Sequence, residues 1–283
     1  MGNAVKALVI GGMNVDILGV PAGNYRPGDS MPGVIRLSVG GVGFNIASNL
    51  ARSGIAVTFI TVIGNDHFAR IAQDACQSLS LDMGLACRVA DPSPTYMAVH
   101  HQDGAMAAAI NDMASMAALK PSYLQAHKNA LSEFYDVCVI DANLPPDTIG
   151  VIPKYARASI LADPVSVEKG RRLLPVLPRL AAIKPNAMEA LALSGCKDIP
   201  DAAGWFLRQG VKQIFISLGE DGLYFASSEG SGCLPPKQVI KTPSTGAGDA
   251  MASGLAHGIA SGKSAEDTAK LGLAAAAKFL NSK

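Results

Sequence analysis

The run Ser244-Thr245-Gly246-Ala247-Gly248-Asp249-Ala250 places two glycines, a carboxylate and the start of a small-residue stretch within one turn of chain. Ala247 to His257 is expected to be a helix. Its first backbone N–H groups, around Gly246 to Gly248, would then lack intrahelical partners and point outward, where together with the helix dipole they can hold a phosphate. Glycine suits the position because it reaches positive φ and lets a ligand approach the backbone. Asp249 falls beside that cradle, placed to take a proton from a hydroxyl attacking phosphorus. An isolated motif of this kind reads equally well as nothing more than a loop with a capped helix, so the other end of the chain carries weight.

There, Val5 to Ile10 is a strand-length apolar run that ends in Gly11-Gly12-Met13-Asn14-Val15-Asp16. Asn14 and Asp16, two residues apart in extended chain, would face the same way. Further on, Gly40-Gly41-Val42-Gly43-Phe44-Asn45 leads into an amphipathic helix through Arg52 that stops at Gly54. A second glycine-rich entry to a helix therefore lies almost the whole chain away from the first.

The elements that must position these residues follow from an alternation of patterns. Strand-like runs at Val57 to Ile63, Val137 to Asp141, Ser159 to Ala162, Ala182 to Ile183 and Gln213 to Ser217 are separated by helix-length segments. The helical segments include His67 to Ser80, Pro146 to Arg157, Val167 to Leu177 and Ala202 to Gln209. Such a rhythm predicts an α/β fold, a mostly parallel sheet with helices on both faces, in a single domain spanning residues 1–283. Two stretches break the rhythm: residues 15–39, which carry Pro21, Pro27, Gly28 and Pro32 before an alternating run, and residues 95–112, which read as a hairpin turning at Asp103-Gly104.

Composition excludes several classes. With 283 residues, 49% of them hydrophobic and 17% charged, the chain can bury a large core, and its net charge of +1 offers no field to gather nucleic acid or a membrane surface. No segment has transmembrane length, and the N-terminus lacks the pattern of a signal peptide. The five cysteines are scattered without metal-ligand spacing and read as reduced thiols of a cytoplasmic protein. His100 and His101, adjacent in a strand, would point to opposite faces and make poor metal ligands. Gly262-Lys263-Ser264 resembles the end of a P-loop, but His257 stands where that motif needs glycine. No dinucleotide-binding fingerprint and no nucleophile elbow occur.

Taken together, the GGVGFN and STGAGDA runs, in this order and at this separation, resemble the paired signatures of the ribokinase-like (PfkB) carbohydrate and nucleoside kinases. The resemblance implies a three-layer α/β/α sandwich with a small β-sheet lid made from residues 15–39 and 95–112, and ATP with Mg²⁺ as cofactors. It also implies roles. Asp249 would be the catalytic base with Gly246, Ala247 and Gly248 as anion hole. Asn14, Asp16, Gly41 and Asn45 would hold the sugar, and Asn111 or Asp112 could reach a base, a turn cap being the competing reading of Asp112. Lys184-Pro185-Asn186-Ala187-Met188-Glu189 resembles an NxxE element in which Glu189 helps place Mg²⁺ through water; a first-turn acidic residue at a helix start is its plain structural reading. Asn186, Ser217, Gly219, Gly222 and Thr245 would line the nucleotide site. Two copies are implied to pair through the lid.

Within the family, Gly28 to Gly33, Ile110 to Met113, Asp141 to Pro145 and Ala162 to Ser166 with Lys169 look, as a set, most similar to bacterial pseudouridine kinases, which implies phosphorylation of the pseudouridine 5′-hydroxyl. Phe44 departs from the Arg of that branch. A ribokinase or other sugar or nucleoside kinase is the alternative, and a catalytically silent nucleoside-binding protein is the third reading. Many members read DTxGAGD, whose first Asp helps coordinate a monovalent cation; Pro243 stands there instead, so K⁺ activation is expected to be weak or absent.

Overall fold

The structure is a computed structural model and describes residues 5–237 and 246–282. The chain starts with β1 (Lys6–Ile10), β2 (Asn14–Pro21) and β3 (Gly33–Gly40), then α1 (Val42–Arg52), β4 (Ala56–Ile60), β5 (Val62–Ile63), α2 (His67–Ser78), β6 (Cys87–Arg88), β7 (Thr95–His100) and β8 (Met106–Asp112). After these come α3 (Pro121–Ala126), α4 (Lys128–Leu131), β9 (Val137–Asp141), α5 (Pro146–Tyr155), β10 (Ser159–Asp163), α6 (Val167–Gly170), β11 (Ala182–Ile183), α7 (Ala187–Ser194) and α8 (Ile199–Arg208). The last elements are β12 (Gln213–Ser217), β13 (Leu223–Ser227), β14 (Gly230–Leu234), α9 (Ala247–Ala260) and α10 (Ala265–Leu280).

Eight strands form the large sheet in the order β14-β13-β12-β11-β10-β9-β1-β4. Pairing is parallel from β12 to β4 and antiparallel at β13 and β14. Side-chain alternation splits the apolar strands between two cores. Ala7, Val9, Val137 and Val139 face one cluster with residues of α1, α2, α9 and α10, while Leu8, Ile10, Cys138 and Ile140 face another with residues of α3, α5, α7 and α8. The result is a three-layer α/β/α sandwich. Chain progress runs outward in opposite senses from β1 and β9, so the strand order reverses between them; ligands in open parallel sheets bind outside the carboxyl ends of the strands at such a point.

A second sheet, of order β3-β2-β7-β8, is built from the two stretches that break the βαβ rhythm. Register fixes its faces. Asp16 lies opposite Ser38 and Tyr96, and Tyr96 opposite Asn111. Val15 lies opposite Val39 and Thr95, and Thr95 opposite Asp112. Because pairs directly opposite share a face, Asn111 is on the face of Asp16 and Asp112 is on the other.

Three expected elements differ in outcome. The run Val57 to Ile63 breaks at Thr61, and β5 leaves the large sheet to pair with β6. The helix expected over Val167 to Leu177 changes at Arg171 into a 3-10 helix through Arg179, where Pro175 and Pro178 remove backbone donors. Helix α8 begins earlier than Ala202, because Asp198 caps it by accepting from the Asp201 N–H at 2.9 Å and Pro200 occupies the first turn.

Candidate active site

The two glycine-rich helix entries meet. Helix α1 starts where Gly43 packs on the end of β1, so tightly that a β-carbon there would come within 2.8 Å of the Gly11 carbonyl carbon. Asn45 then projects from the first turn of α1, and its Nδ2 donates to Asp249 Oδ2 at 2.8 Å. Residues 204 apart in sequence are thereby joined. Gly246 caps α9 in the left-handed region, φ 90°, and no described side chain caps this end. Among the described residues no side chain takes up the first N–H groups of α9, a geometry able to receive an anion, and Asp249 stands on the same turn.

Burial is the main reason the Asp249 carboxyl is pushed up to about 7; the Asp163 charge pushes the same way, against the Asn45 amide and the Lys184 charge. Asp141, which ends β9, is fully enclosed and is raised to about 6, again chiefly by burial. Its two oxygens accept from the Gly12 N–H and the Asn143 N–H, each at 2.8 Å. Asn143 in turn accepts from Lys169 Nζ at 2.7 Å. At the end of β10, Asp163 forms an ion pair with Lys184, which follows β11, at 3.1 Å. Burial opposes the charge on Lys184, yet the carboxylates of Asp163, Asp249 and Glu189 together outweigh it and raise the lysine above its ordinary value.

The other expected site residues fall as follows. Asn14 Nδ2 donates to Asp16 Oδ1 at 2.6 Å, and burial raises the Asp16 carboxyl although that bond opposes it. Gly41, next to Asn14, precedes α1 and its carbonyl accepts from the Asn45 N–H at 2.9 Å. Asn186 and Glu189 form a capping box on α7: Glu189 N–H donates to Asn186 Oδ1 at 2.8 Å and Asn186 N–H to Glu189 Oε2 at 2.9 Å. Asn186 also bridges Ser217 through the backbone. Gly219 and Gly222 shape the turn after β12, where the Leu218 N–H donates to the Gly222 carbonyl at 2.9 Å.

Asp112 is exposed, lies on the sheet face away from Asp16, and accepts from the Ala114 N–H at 3.2 Å as a turn cap. Thr245 and Pro243 lie outside the described residues. Phe44, only 6% exposed, packs in the first apolar cluster.

The sequence sets Asp141 and Asp163 among the acceptor-branch motifs and Lys184 at the head of the NxxE element, without a role for any of the three in the site. Their signal is a charged residue ending or directly following an apolar strand, as in VCVID, SILAD and AIK. On parallel strands such ends share one edge of the sheet.

A family model described as pfkB family carbohydrate kinase matches residues 5–283. Pseudouridine kinase of Escherichia coli (strain K12) is 32% identical over 258 residues, 88% of this chain and 82% of that protein. A solved carbohydrate kinase from Agrobacterium tumefaciens superposes with TM-score 0.85 at 30% identity over 96% of this chain and 90% of its own. Ribokinase from Thermotoga maritima has the same fold, with TM-score 0.86 at 24% identity over 98% of this chain and 93% of its own.

Proposed function

Because the chain belongs to the pfkB carbohydrate kinase family, we propose that it transfers the γ-phosphoryl group of ATP to the 5′-hydroxyl of pseudouridine, giving pseudouridine 5′-phosphate. Members of this family are phosphotransferases acting on an alcohol group of small sugars or nucleosides, and they use ATP with Mg²⁺. The observation that carries the chemistry is the Asn45 to Asp249 hydrogen bond at the start of α9, an end that no described side chain caps.

In this reading Asp16 and Asn14 hold the ribose hydroxyls and orient the 5′-oxygen toward Asp249. Asp249 accepts the hydroxyl proton as the oxygen–phosphorus bond forms and the bond to the ADP oxygen breaks. Asn45 fixes the carboxylate that does this. The N–H groups at Gly246 to Gly248 receive the phosphoryl oxygens, and because phosphoryl transfer passes through a loose transition state, this stabilisation outweighs proton abstraction. Asn111, on the face of Asp16, is the lid residue placed to meet the base.

Mg²⁺ favours one or two carboxylates together with waters and phosphate oxygens. The donor set fits that habit: Glu189 supplies a single carboxylate, one oxygen of which accepts from the Asn186 N–H in the α7 cap. Glu189 would hold the ion, which when bound neutralises phosphate charge. The acceptor identity rests on the pseudouridine kinase likeness.

We also propose that two copies pair through the smaller sheet. Its face away from Asp16 exposes Ile35, Leu37, Met97 and Ile110, an apolar row that a second copy would cover. A cytoplasmic setting is supported by five free cysteines, three of them buried, and no described helix is long and apolar enough to cross a membrane.

Steady-state turnover of MgATP with pseudouridine, uridine, adenosine and ribose tests the acceptor. Pseudouridine is expected to show the highest kcat/KM. A preference for ribose or adenosine would move the chain to another branch of the family, and a folded chain inert toward all four would favour the silent nucleoside-binding reading.

A further inference from the structure

Two cations of one short segment converge on a single turn. Lys169 in α6 and Arg172 in the 3-10 helix that follows are three residues apart and so share a face. Both reach the turn after β9, residues 141–145. Lys169 Nζ donates to the Asn143 side-chain oxygen at 2.7 Å. One nitrogen of the Arg172 guanidinium donates to the Ala142 carbonyl at 3.1 Å and to the Leu144 carbonyl at 3.3 Å, the two carbonyls that flank Asn143. A guanidinium finds its strongest partners in carboxylates, yet this one, half-buried, is spent on backbone.

The segment is entered through a strained residue. Val165 has φ 65°, a left-handed conformation that a β-branched residue rarely adopts. Its N–H donates to Asp163 Oδ1 at 2.8 Å, and the hydroxyl of Ser166, next in the chain, caps α6 by accepting from the Lys169 N–H at 3.3 Å. Strain of this kind persists only where the surroundings fix it, and here it sets the direction in which α6 leaves β10.

What the turn supports is Gly12. The Asn143 N–H and the Gly12 N–H donate to the two oxygens of Asp141, each at 2.8 Å. The Asn143 side chain lies so close that a β-carbon at Gly12 would come within 2.8 Å of Asn143 Nδ2. The Gly12 carbonyl in turn accepts from the Phe44 N–H, in the first turn of α1, at 3.1 Å. Asn14 and Asp16 follow Gly12 in the chain, and Asn45, the partner of Asp249, follows Phe44. Both groups therefore hang on one glycine, and that glycine rests on the turn that Arg172 spans.

Resting on the kinase reading above, we propose that Arg172 is a positioning residue for the acceptor: by bridging the carbonyls on either side of Asn143 it holds the turn under Gly12, and Gly12 sets the spacing between Asp16 and Asp249. It acts through Asn143 rather than by contact with acceptor or nucleotide. Transfer depends on that spacing, since a displacement of about 1 Å costs on the order of 10²-fold. Nucleotide binding at α7 and α9 does not.

The test compares wild type, R172M, R172K and N143A with the double variant R172M/N143A. Methionine keeps an apolar stem and removes the donors, and because the partners of Arg172 are carbonyls its loss strands no buried charge. Should R172M fail to fold, R172Q takes its place under the same criteria. Turnover is measured with whichever of pseudouridine, uridine, adenosine and ribose wild type uses best, and MgADP binding by calorimetry. R172M is expected to lose about 10- to 100-fold in kcat/KM, the worth of hydrogen bonds from a charged group. Its MgADP affinity should change by less than about 3-fold, as for sites without shared partners. R172K, which keeps a charged donor, should recover part of the loss. R172M should cost much less in the N143A background, because both act on the same turn. Amide exchange of Gly12 and Asn143, which needs no turnover, should quicken about 10-fold or more in R172M.

Unchanged kcat/KM in folded R172M, equal losses for acceptor and MgADP, or additive effects of R172M and N143A would each overturn the role. A wild type that turns over none of the four acceptors fails the kinase reading instead; amide exchange then decides whether Arg172 holds the turn, and unchanged protection in R172M would show that it does not.

Discussion

The carboxyl edge of the large sheet and the smaller sheet beside it are built on opposite terms. At the large edge, Asp141, Asp163, Lys184 and Glu189 are buried and every one has a hydrogen-bond or ion-pair partner. In the smaller sheet, Ile35 is 74% and Ile110 65% exposed, and most of β3 and β8 faces solvent. A buried, fully partnered edge can hold charges at unfavourable pKa values, as reacting groups require. A thin sheet with one polar row, Ser38-Asp16-Tyr96-Asn111, can recognise an acceptor but has little core of its own. In the proposed function the difference separates transfer chemistry from acceptor choice, and substitutions in the two regions should therefore fail in different ways.

The largest effect is expected at the large edge. Asp249→Asn should lower kcat by roughly 10²–10⁴, the scale of a positioned acid or base, while calorimetry still shows nucleotide and acceptor binding. The same variant should be more stable than wild type at pH 8. Because the folded-state pKa is raised to about 7 above the unfolded value, the ionised carboxylate costs stability fully above pH 7, and that cost fades as pH falls toward the unfolded pKa. Melting temperatures at pH 8 and pH 5 check the sign: the gain should shrink at the lower pH. Unimpaired turnover in folded Asp249→Asn would remove the residue from the mechanism.

Next in size is the inner row of the smaller sheet. Asp16→Ala should reduce kcat/KM for every acceptor alike, by about 10- to 100-fold, the worth of a hydrogen bond to a charged group. Smaller and more selective is Asn111→Ala, with a loss of about 2- to 10-fold for nucleosides and none for ribose, whereas Asp112→Ala should be silent for both. A reversed order of those two variants would show that the sheet register does not decide which residue meets the base.

The smallest effect concerns K⁺. Replacing it with a bulky organic cation at constant ionic strength should change the rate by less than about 10-fold, ~1.4 kcal/mol, since Pro243 offers no carboxylate to a cation shell. A larger stimulation would show that other oxygens build such a site.

Much of this division was legible in the sequence. β1, β9, β12 and the start of α9 announced themselves as apolar runs beside glycine turns, since a strand buried on both faces needs continuous apolar residues. The break at Thr61 was not legible, because both pieces of Val57 to Ile63 are apolar and buried and periodicity cannot mark a strand that changes sheets. Helix α8 shows the reverse: Asp198 and Pro200 did signal its start, and the apolar pattern drew the boundary inward. At the site, Asn45 and Asp249 could be chosen from their glycine contexts, but only folding shows that they touch. The pair Asp163 and Lys184 stayed hidden for a related reason, since its meaning depends on strand order and on a turn strained at Val165.

In the proposed mechanism the carboxylate joining the two glycine motifs receives the acceptor proton. The pH profile of kcat/KM tests it most directly, because it reports the ionisation of the free enzyme's essential groups. Asp249 is raised to about 7 by burial, with Asp163 and Asp141 adding to the rise and Asn45 and Lys184 opposing it. The rate should therefore fall tenfold per pH unit below about pH 7, and this limb should be absent from the residual activity of Asp249→Asn. A limb near the ordinary carboxylate range around pH 4, or one near 7 that persists unchanged in Asp249→Asn, would contradict the account.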